Sequence, residues 1–230
     1  MSADDEARAV AERYARRGGA DRYSFARPEV LLGVQERQRA MLDLFAQAGC
    51  SDFAALRVLE VGCGSGGNLL ELLRLGFLPE HLVGVELLPG RAAQARHLLP
   101  EALAVHAGDA LALDLPAAGY DIVFVSTVFS SLLDDAFQQR LAGAMWRWLR
   151  PGGAVLWYDF VVDNPRNADV RGVPLARVRA LFPQGRVRAR RVTLAPPLAR
   201  AVAPWHPALY TLFNTVPWLR THVLAWIAKP

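Results

Sequence analysis

The sequence predicts an α/β fold: a largely parallel sheet with helices on both faces. Strand-like apolar runs alternate with helical or crossover-length stretches from Arg57 onward, which is the signature of repeated βα units. A glycine-rich turn follows the first of these runs, where such folds pass from strand to helix. The 230 residues are 53% hydrophobic and 21% charged, enough apolar surface for one well-cored domain and too much for large-scale disorder.

The opening "MSADDEARAVAERYARR" is charged and helical in pattern and has no apolar run behind a basic start, so it reads as an amphipathic helix and not as a secretory signal. A second helix is expected over Arg27 to Gly49, with Val30, Leu31, Val34, Met41, Leu42 and Phe45 at helical spacing and Gly49 as its stop. Strands follow at Arg57 to Val61, Leu82 to Glu86, Leu103 to His106, Asp121 to Val125 and Ala154 to Phe160. The last third changes rhythm. Gly185 to Ala195 alternates as a strand, a proline-bounded helical region follows, and Thr221 to Ala228 closes the chain as a seventh strand. The nineteen residues from Ala201 to Leu219 lack a formal charge, but Pro204, His206, Pro207, Asn214 and Pro217 interrupt them. A buried or lid segment is therefore expected in place of a transmembrane helix.

The net charge of +4 and pI near 9.5 come from arginines scattered along the chain, with Lys229 the only lysine, so no nucleic-acid partner is expected. Cys50 and Cys63 lack metal-ligand spacing, so no metal is expected, and a reducing, cytoplasmic setting fits them. A monomer or homodimer, with peripheral contact to a membrane left open, completes the expected setting.

Within "LEVGCGSGGN", Gly62, Gly64 and Gly67 satisfy G-x-G-x-x-G, a spacing that suits any nucleoside cofactor lying close to backbone. The acids around the turn discriminate. Glu60 stands two residues before Gly62, where a carboxylate would repel a pyrophosphate and favour a cation-bearing ligand. S-adenosyl-L-methionine has an ammonium, a sulfonium and no phosphate. Glu86 ends the second strand, where an acid accepts hydrogen bonds from ribose hydroxyls of either kind of cofactor. Asp109 follows the third strand, where it would accept from an adenine amine, with the Ala110 amide available to a ring nitrogen.

"LEVGCGSGGN", "VGVELLPGRAAQAR", "AGDAL", "YDIVFVSTVFSSLLD" and "WLRPGGAVLWYDF" occur in one order and spacing. In these the chain resembles the Rossmann-like class I S-adenosylmethionine-dependent methyltransferases, from about Leu56 to Phe160, with the closing strands extending the likeness. The resemblance implies a seven-stranded sheet whose last strand inserts antiparallel. It implies that Glu60, Gly62, Cys63, Gly64 and Ser65 cradle the methionyl end, that Glu86 takes the ribose, Asp109 and Ala110 the adenine, and that Ser126 touches the methionyl amine. Pro151, Gly152 and Gly153 read as a helix-ending turn. Where many small-molecule members show a histidine after the fourth strand, this chain has Ser130 and Ser131. Simpler readings stand beside these: Gly66 and Gly67 as packing glycines, Cys63 as a small filler, Glu60 as a helix cap. The expected organisation is one domain over residues 1–230, with a helical cap or lid at 1–50, a cofactor core at 51–160 and substrate-side elements at 161–230.

Methyl transfer from a sulfonium is an in-line displacement that needs positioning and exclusion of water, with no metal or covalent intermediate. The expected acceptor is a small molecule, with O-methylation favoured; a saccharide, a lipid-linked compound or a secondary metabolite would suit. "WYDFVVDNPRN" gathers polar groups past the fifth strand, so Asp159 is the expected base and Tyr158, Asn164 and Arg166 the expected substrate contacts, with His106 second as base. Tyr23, in "RYSFARPEV", would cover the site or pack with Phe25 on the sheet. "PWHPALYTLFNTVPWLRTH" would roof an apolar pocket, rest on a membrane, form a dimer face or join the core. An NAD-dependent oxidoreductase and a non-catalytic interaction module are the alternatives from other classes.

Overall fold

The strands carry near-continuous apolar runs because both faces of the sheet are covered. β1 (Val58–Val61) is buried throughout and β4 (Tyr120–Ser126) at every residue but its last. The computed structural model describes residues 3–15, 24–163 and 167–230. Within them the chain runs α1 (Ala3–Ala15), α2 (Pro28–Gln47), β1, α3 (Gly67–Arg74), β2 (Leu82–Glu86), α4 (Pro89–Leu98), β3 (Ala104–Ala107), β4, α5 (Asp135–Trp148), β5 (Leu149–Phe160), α6 (Leu175–Leu181), β6 (Arg186–Leu194), α7 (Pro196–Val202), α8 (Pro207–Asn214) and β7 (Arg220–Ala228).

The seven strands form one sheet in the order β3-β2-β1-β4-β5-β7-β6. β1 to β5 are mutually parallel, and β7 inserts antiparallel between β5 and β6. Strand order reverses between β1 and β4, the switch point at which open α/β sheets bind ligands beyond their carboxyl ends. Val61 pairs with both Val85 and Val125, so β1, β2 and β4 reach that crevice nearly level.

Pleating divides the core into two layers. One holds Val123, Trp157, Met145 and Phe182 with Val10 of α1; the other holds Met41, Phe45, Leu69, Leu72, Leu156 and Trp226. Phe45 has no exposed surface and meets Phe53, Phe77 and Trp226 at ring distances of 5.3, 6.0 and 5.8 Å. Truncating such a side chain to Ala costs about 3–5 kcal/mol.

One local expectation is corrected. β5 starts at Leu149, which pairs with Tyr120 before a register shift to Ile122 with Ala154, and Gly152 takes φ +77. The segment "LRPGG" is thus the bulged start of a strand, and α5 has already ended at Trp148. β1 ends on Val61, where the sequence places its end.

β6 and β7 are antiparallel and pair Leu194 with Arg220, so the segment between them hangs at the end where β5 delivers Phe160 opposite His222. α7 and α8 fold over Leu194, Ala199, Ala203 and Tyr210, and no helix among the described residues is long and apolar enough to cross a membrane. At the same end α1 is clamped onto the loop after β4. Glu6 accepts from Leu133 N at 2.8 Å and from Arg13 Nη2 at 2.7 Å, and Arg13 Nη2 also donates to Ser131 O at 3.0 Å.

Candidate active site

Three glycines of the turn adopt left-handed backbone: Gly62 (φ 73), Gly64 (φ 58) and Gly66 (φ 88). That region is open to glycine without the steric cost a Cβ brings. A Cβ on Gly62 would lie 2.4 Å from Val128 Cγ2, and one on Gly64 2.8 Å from Arg91 Nη2. Gly67 has neither constraint and opens α3, so the glycine the conformation demands is Gly66, which the spacing rule passes over. Gly62 N and Cys63 N both donate to Val85 O, at 2.7 and 3.0 Å, folding the turn against β2. Cys63 is buried, with its sulfur over Gly84 and its thiol pushed up by burial. The Ser65 hydroxyl faces the surface and donates to Gln94 Oε1 at 2.9 Å.

The acids ring this turn. Glu86 Oε2 accepts from Gly64 N at 2.8 Å and its Oε1 from Leu88 N at 3.0 Å, holding the turn to the end of β2. Gly108 N donates to Glu86 O at 2.9 Å, which brings the loop after β3 alongside. There Asp109 Oδ1 caps the turn Ala110–Ala112 through Leu111 N at 2.9 Å, above a buried Ala110. Ser126 closes β4, and Thr127 turns off it at φ 54, an uncommon backbone for a β-branched residue that throws Val128 across Gly62.

Glu60 lies at the root, fully buried. Asn68 Nδ2 donates to its Oε1 at 2.6 Å, while Oε2 has no partner among the described residues. Burial raises its carboxyl to about 8, against the opposing pull of the Asn68 bond and the Arg37 charge. Arg37 is a residue that the sequence reading missed. From α2 its Nη2 donates to Asn68 Oδ1 at 2.7 Å and to both oxygens of Glu71 at 3.0 Å, and its guanidinium lies 5.1 Å from the Tyr158 ring centre. It was detectable: Val30, Val34, Arg37, Met41 and Phe45 share one helical stripe, and a lone cation there needs a buried partner.

The expected substrate cluster separates. Tyr158 and Asp159 are consecutive on β5 and point to opposite faces. Tyr158 hydroxyl bonds Thr193 Oγ1 at 2.9 Å and its ring stacks on His222 at 4.8 Å. Burial, then the Arg37 charge, hold His222 neutral, lowering it to about 3. Asp159, also buried, accepts from Ser130 N at 3.0 Å and Phe160 N at 2.8 Å; burial raises it to about 6. Oδ2 holds the turn Phe129–Ser131 while Oδ1 is taken by the backbone of β5 itself, so the carboxyl ties the turn to the strand end. His106, the second candidate base, is exposed on the edge strand β3. Tyr23, Asn164 and Arg166 lie outside the described residues.

The sequence profile of the methyltransferase domain matches residues 58–153, from the first residue of β1 into β5. Residues 58–153 thus carry a methyltransferase domain, and the sheet around them has the class I, Rossmann-like architecture. Among its relatives, the chain is 34% identical over 123 residues to a trans-aconitate 2-methyltransferase from Methylobacterium nodulans, a match spanning 53% of this chain and 44% of that protein. It is 32% identical over 132 residues to a phthiotriol/phenolphthiotriol dimycocerosates methyltransferase from Mycobacterium leprae, spanning 56% and 47%. The chain thus spans a little under half the length of these two relatives. Its fold is similar to the solved structure of a putative sarcosine dimethylglycine methyltransferase from Galdieria sulphuraria, with TM-score 0.62, 16% identity and 98% of each chain covered. A Mesorhizobium loti S-adenosylmethionine-dependent methyltransferase gives TM-score 0.61 at 16% identity over 84% of this chain and 96% of that one.

The family uses S-adenosyl-L-methionine, and the residues at the strand ends fit it. The turn leaves no room for a side chain at Gly62, and Gly64 holds the left-handed backbone that disfavours one. Glu60 Oε2 is a buried acceptor without a partner, which an ammonium would satisfy.

Proposed function

We propose that this chain binds S-adenosyl-L-methionine at the crevice between β1 and β4 and methylates a hydroxyl of a small, apolar acceptor. The observation that carries the reading is Glu60, a buried carboxyl with an unpaired oxygen at the root of a glycine turn. An ammonium beside that oxygen draws out the ionised carboxylate and pairs with it, whereas a phosphate favours only the neutral acid and gains no charge partner.

The residues that would hold the cofactor are Glu60 and the turn Gly62 to Ser65 for its methionyl end, with Ser126 beside them, Glu86 for the ribose, and Asp109 and Ala110 for the adenine. Bound there, it supplies one electrophilic methyl group on a sulfonium sulfur. The chain's own work is exclusion of water and placement. α1, held by the Glu6–Arg13 pair, closes the loop after β4 from solvent. Asp159 holds the Ser130 amide, so in this arrangement it is a positioning residue; it reaches a base's role only where that amide is released. Val162, just past the end of β5 that carries Asp159, leaves apolar surface exposed there. That lip supports an apolar acceptor over a polyacid, and the mycobacterial relative's name points the same way.

The test is transfer from methyl-labelled cofactor to a panel of apolar alcohols and phenols, set against carboxylic acids. Label in an alkali-stable ether supports the reading. Label only in alkali-labile esters overturns the acceptor class.

A further inference from the structure

Trp205 and Trp218 are 84% and 81% exposed, and Leu212 between them is 61% exposed. All three belong to the segment between β6 and β7, whose other large apolar side chains are buried or partly buried: Tyr210 on α8 is buried while Leu212, two residues on, is not. The four remaining tryptophans are buried or packed against the core. Leaving two indoles in water is unfavourable unless something covers them.

The charge around them indicates what does. Residues 170–230 hold ten arginines and lysines and no aspartate or glutamate, although the whole chain has 26 against 22. The net charge of +4 is the difference between a basic C-terminal third and an acidic remainder. The arginines are scattered; the acids are not. Arg200 on α7 and Arg191 on β6 are exposed beside the segment. Arg220 ties it down, donating to Asn214 O at 2.7 Å and to Arg191 O at 3.1 Å.

We propose that this segment docks the protein on an anionic lipid bilayer, with Trp205, Leu212 and Trp218 seated at the headgroup boundary and Arg191 and Arg200 facing lipid phosphates. Indoles favour that boundary because one edge is polar and the rest apolar, and cations near an anionic leaflet add attraction. The segment hangs at the end of the sheet where β5 stops, so docking turns the crevice toward the bilayer. The proposal rests on surface residues outside the cofactor turn, and so stands or falls separately from the methyltransferase reading.

The test is sedimentation of the full chain with vesicles of phosphatidylcholine containing about 30% phosphatidylglycerol, and with phosphatidylcholine alone, while following tryptophan emission. Binding to the anionic vesicles with a blue shift is expected. Trp205→Ala with Trp218→Ala should weaken partitioning about a hundredfold, roughly tenfold for each indole. Arg191→Gln and Arg200→Gln should each weaken it about fivefold and reduce its salt dependence. Unchanged circular dichroism and thermal unfolding of these variants show that they fold. No binding to anionic vesicles, or binding undiminished in the double tryptophan variant, overturns the proposal. So does self-association that the double variant abolishes without any vesicle binding, which would make this a face between copies.

Discussion

Glu60→Gln offers a test whose size follows from burial. The carboxyl is raised to about 8, so at pH 7 the unliganded protein holds it about nine-tenths protonated. An ammonium placed beside Oε2 favours the ionised form. Binding of S-adenosylhomocysteine, which carries that ammonium, should therefore release about 0.9 proton at pH 7 and about 0.1 at pH 9. Calorimetric titration in buffers of different ionisation enthalpy reads the number directly as a slope. Glu60→Gln keeps the shape of the side chain and should bring the slope to zero. Stability gives a second readout. A carboxyl whose folded value lies above its ordinary 4.5 is neutral in the folded state while the unfolded chain ionises, so stability falls as pH rises from 4.5 through about 8. The fall is about 1.4 kcal/mol per pH unit from this group, and the variant should gain on the parent across that window. His222 acts oppositely, costing stability as pH falls from 6.5 toward about 3, but it is common to both proteins. A wild-type slope of zero, or one that Glu60→Gln leaves intact, refutes the reasoning.

Further expectations concern single side chains. Asp109→Ala should weaken S-adenosylhomocysteine binding by about 1–3 kcal/mol, the range for losing a buried hydrogen-bond partner, as read by calorimetry; wild-type affinity would place the adenine elsewhere. Arg37→Met strands Glu71 as a buried charge and should cost about 3–5 kcal/mol in chemical denaturation, part of which Glu71→Gln recovers. Gly62→Ala faces both φ 73 and the Val128 contact, so cofactor binding should fall by at least about tenfold, whereas Gly67→Ala should leave it unchanged and be neutral or mildly stabilising in thermal unfolding.

How much of this was legible in the sequence depends on the range of each interaction. The seven strands were: β1, β4 and most of β5 read as apolar runs because both their faces are covered, and the outlying β6 reads from its alternation, in each case without knowledge of the partner strand. Glu86 and Asp109 were legible for the same reason: each follows from where a strand stops. What depended on a distant partner was not. "LRPGG" becomes a strand only through Tyr120, and α1 finds its place through Ser131 and Leu133, more than a hundred residues away. Tyr158 and Asp159 were read as one cluster although the pleat sends neighbours to opposite faces, an error that strand period alone could have prevented. Gly66 was passed over because a spacing rule records position, while the demand is for a left-handed backbone.

Glu60 and the turn above it suit a nucleoside that carries an ammonium over one that carries a pyrophosphate. Parallel calorimetric titrations of the purified chain with S-adenosylhomocysteine and with NADH test this preference most directly. Saturable one-to-one binding of S-adenosylhomocysteine with no measurable heat from NADH is the predicted result; NADH binding without S-adenosylhomocysteine binding would contradict it.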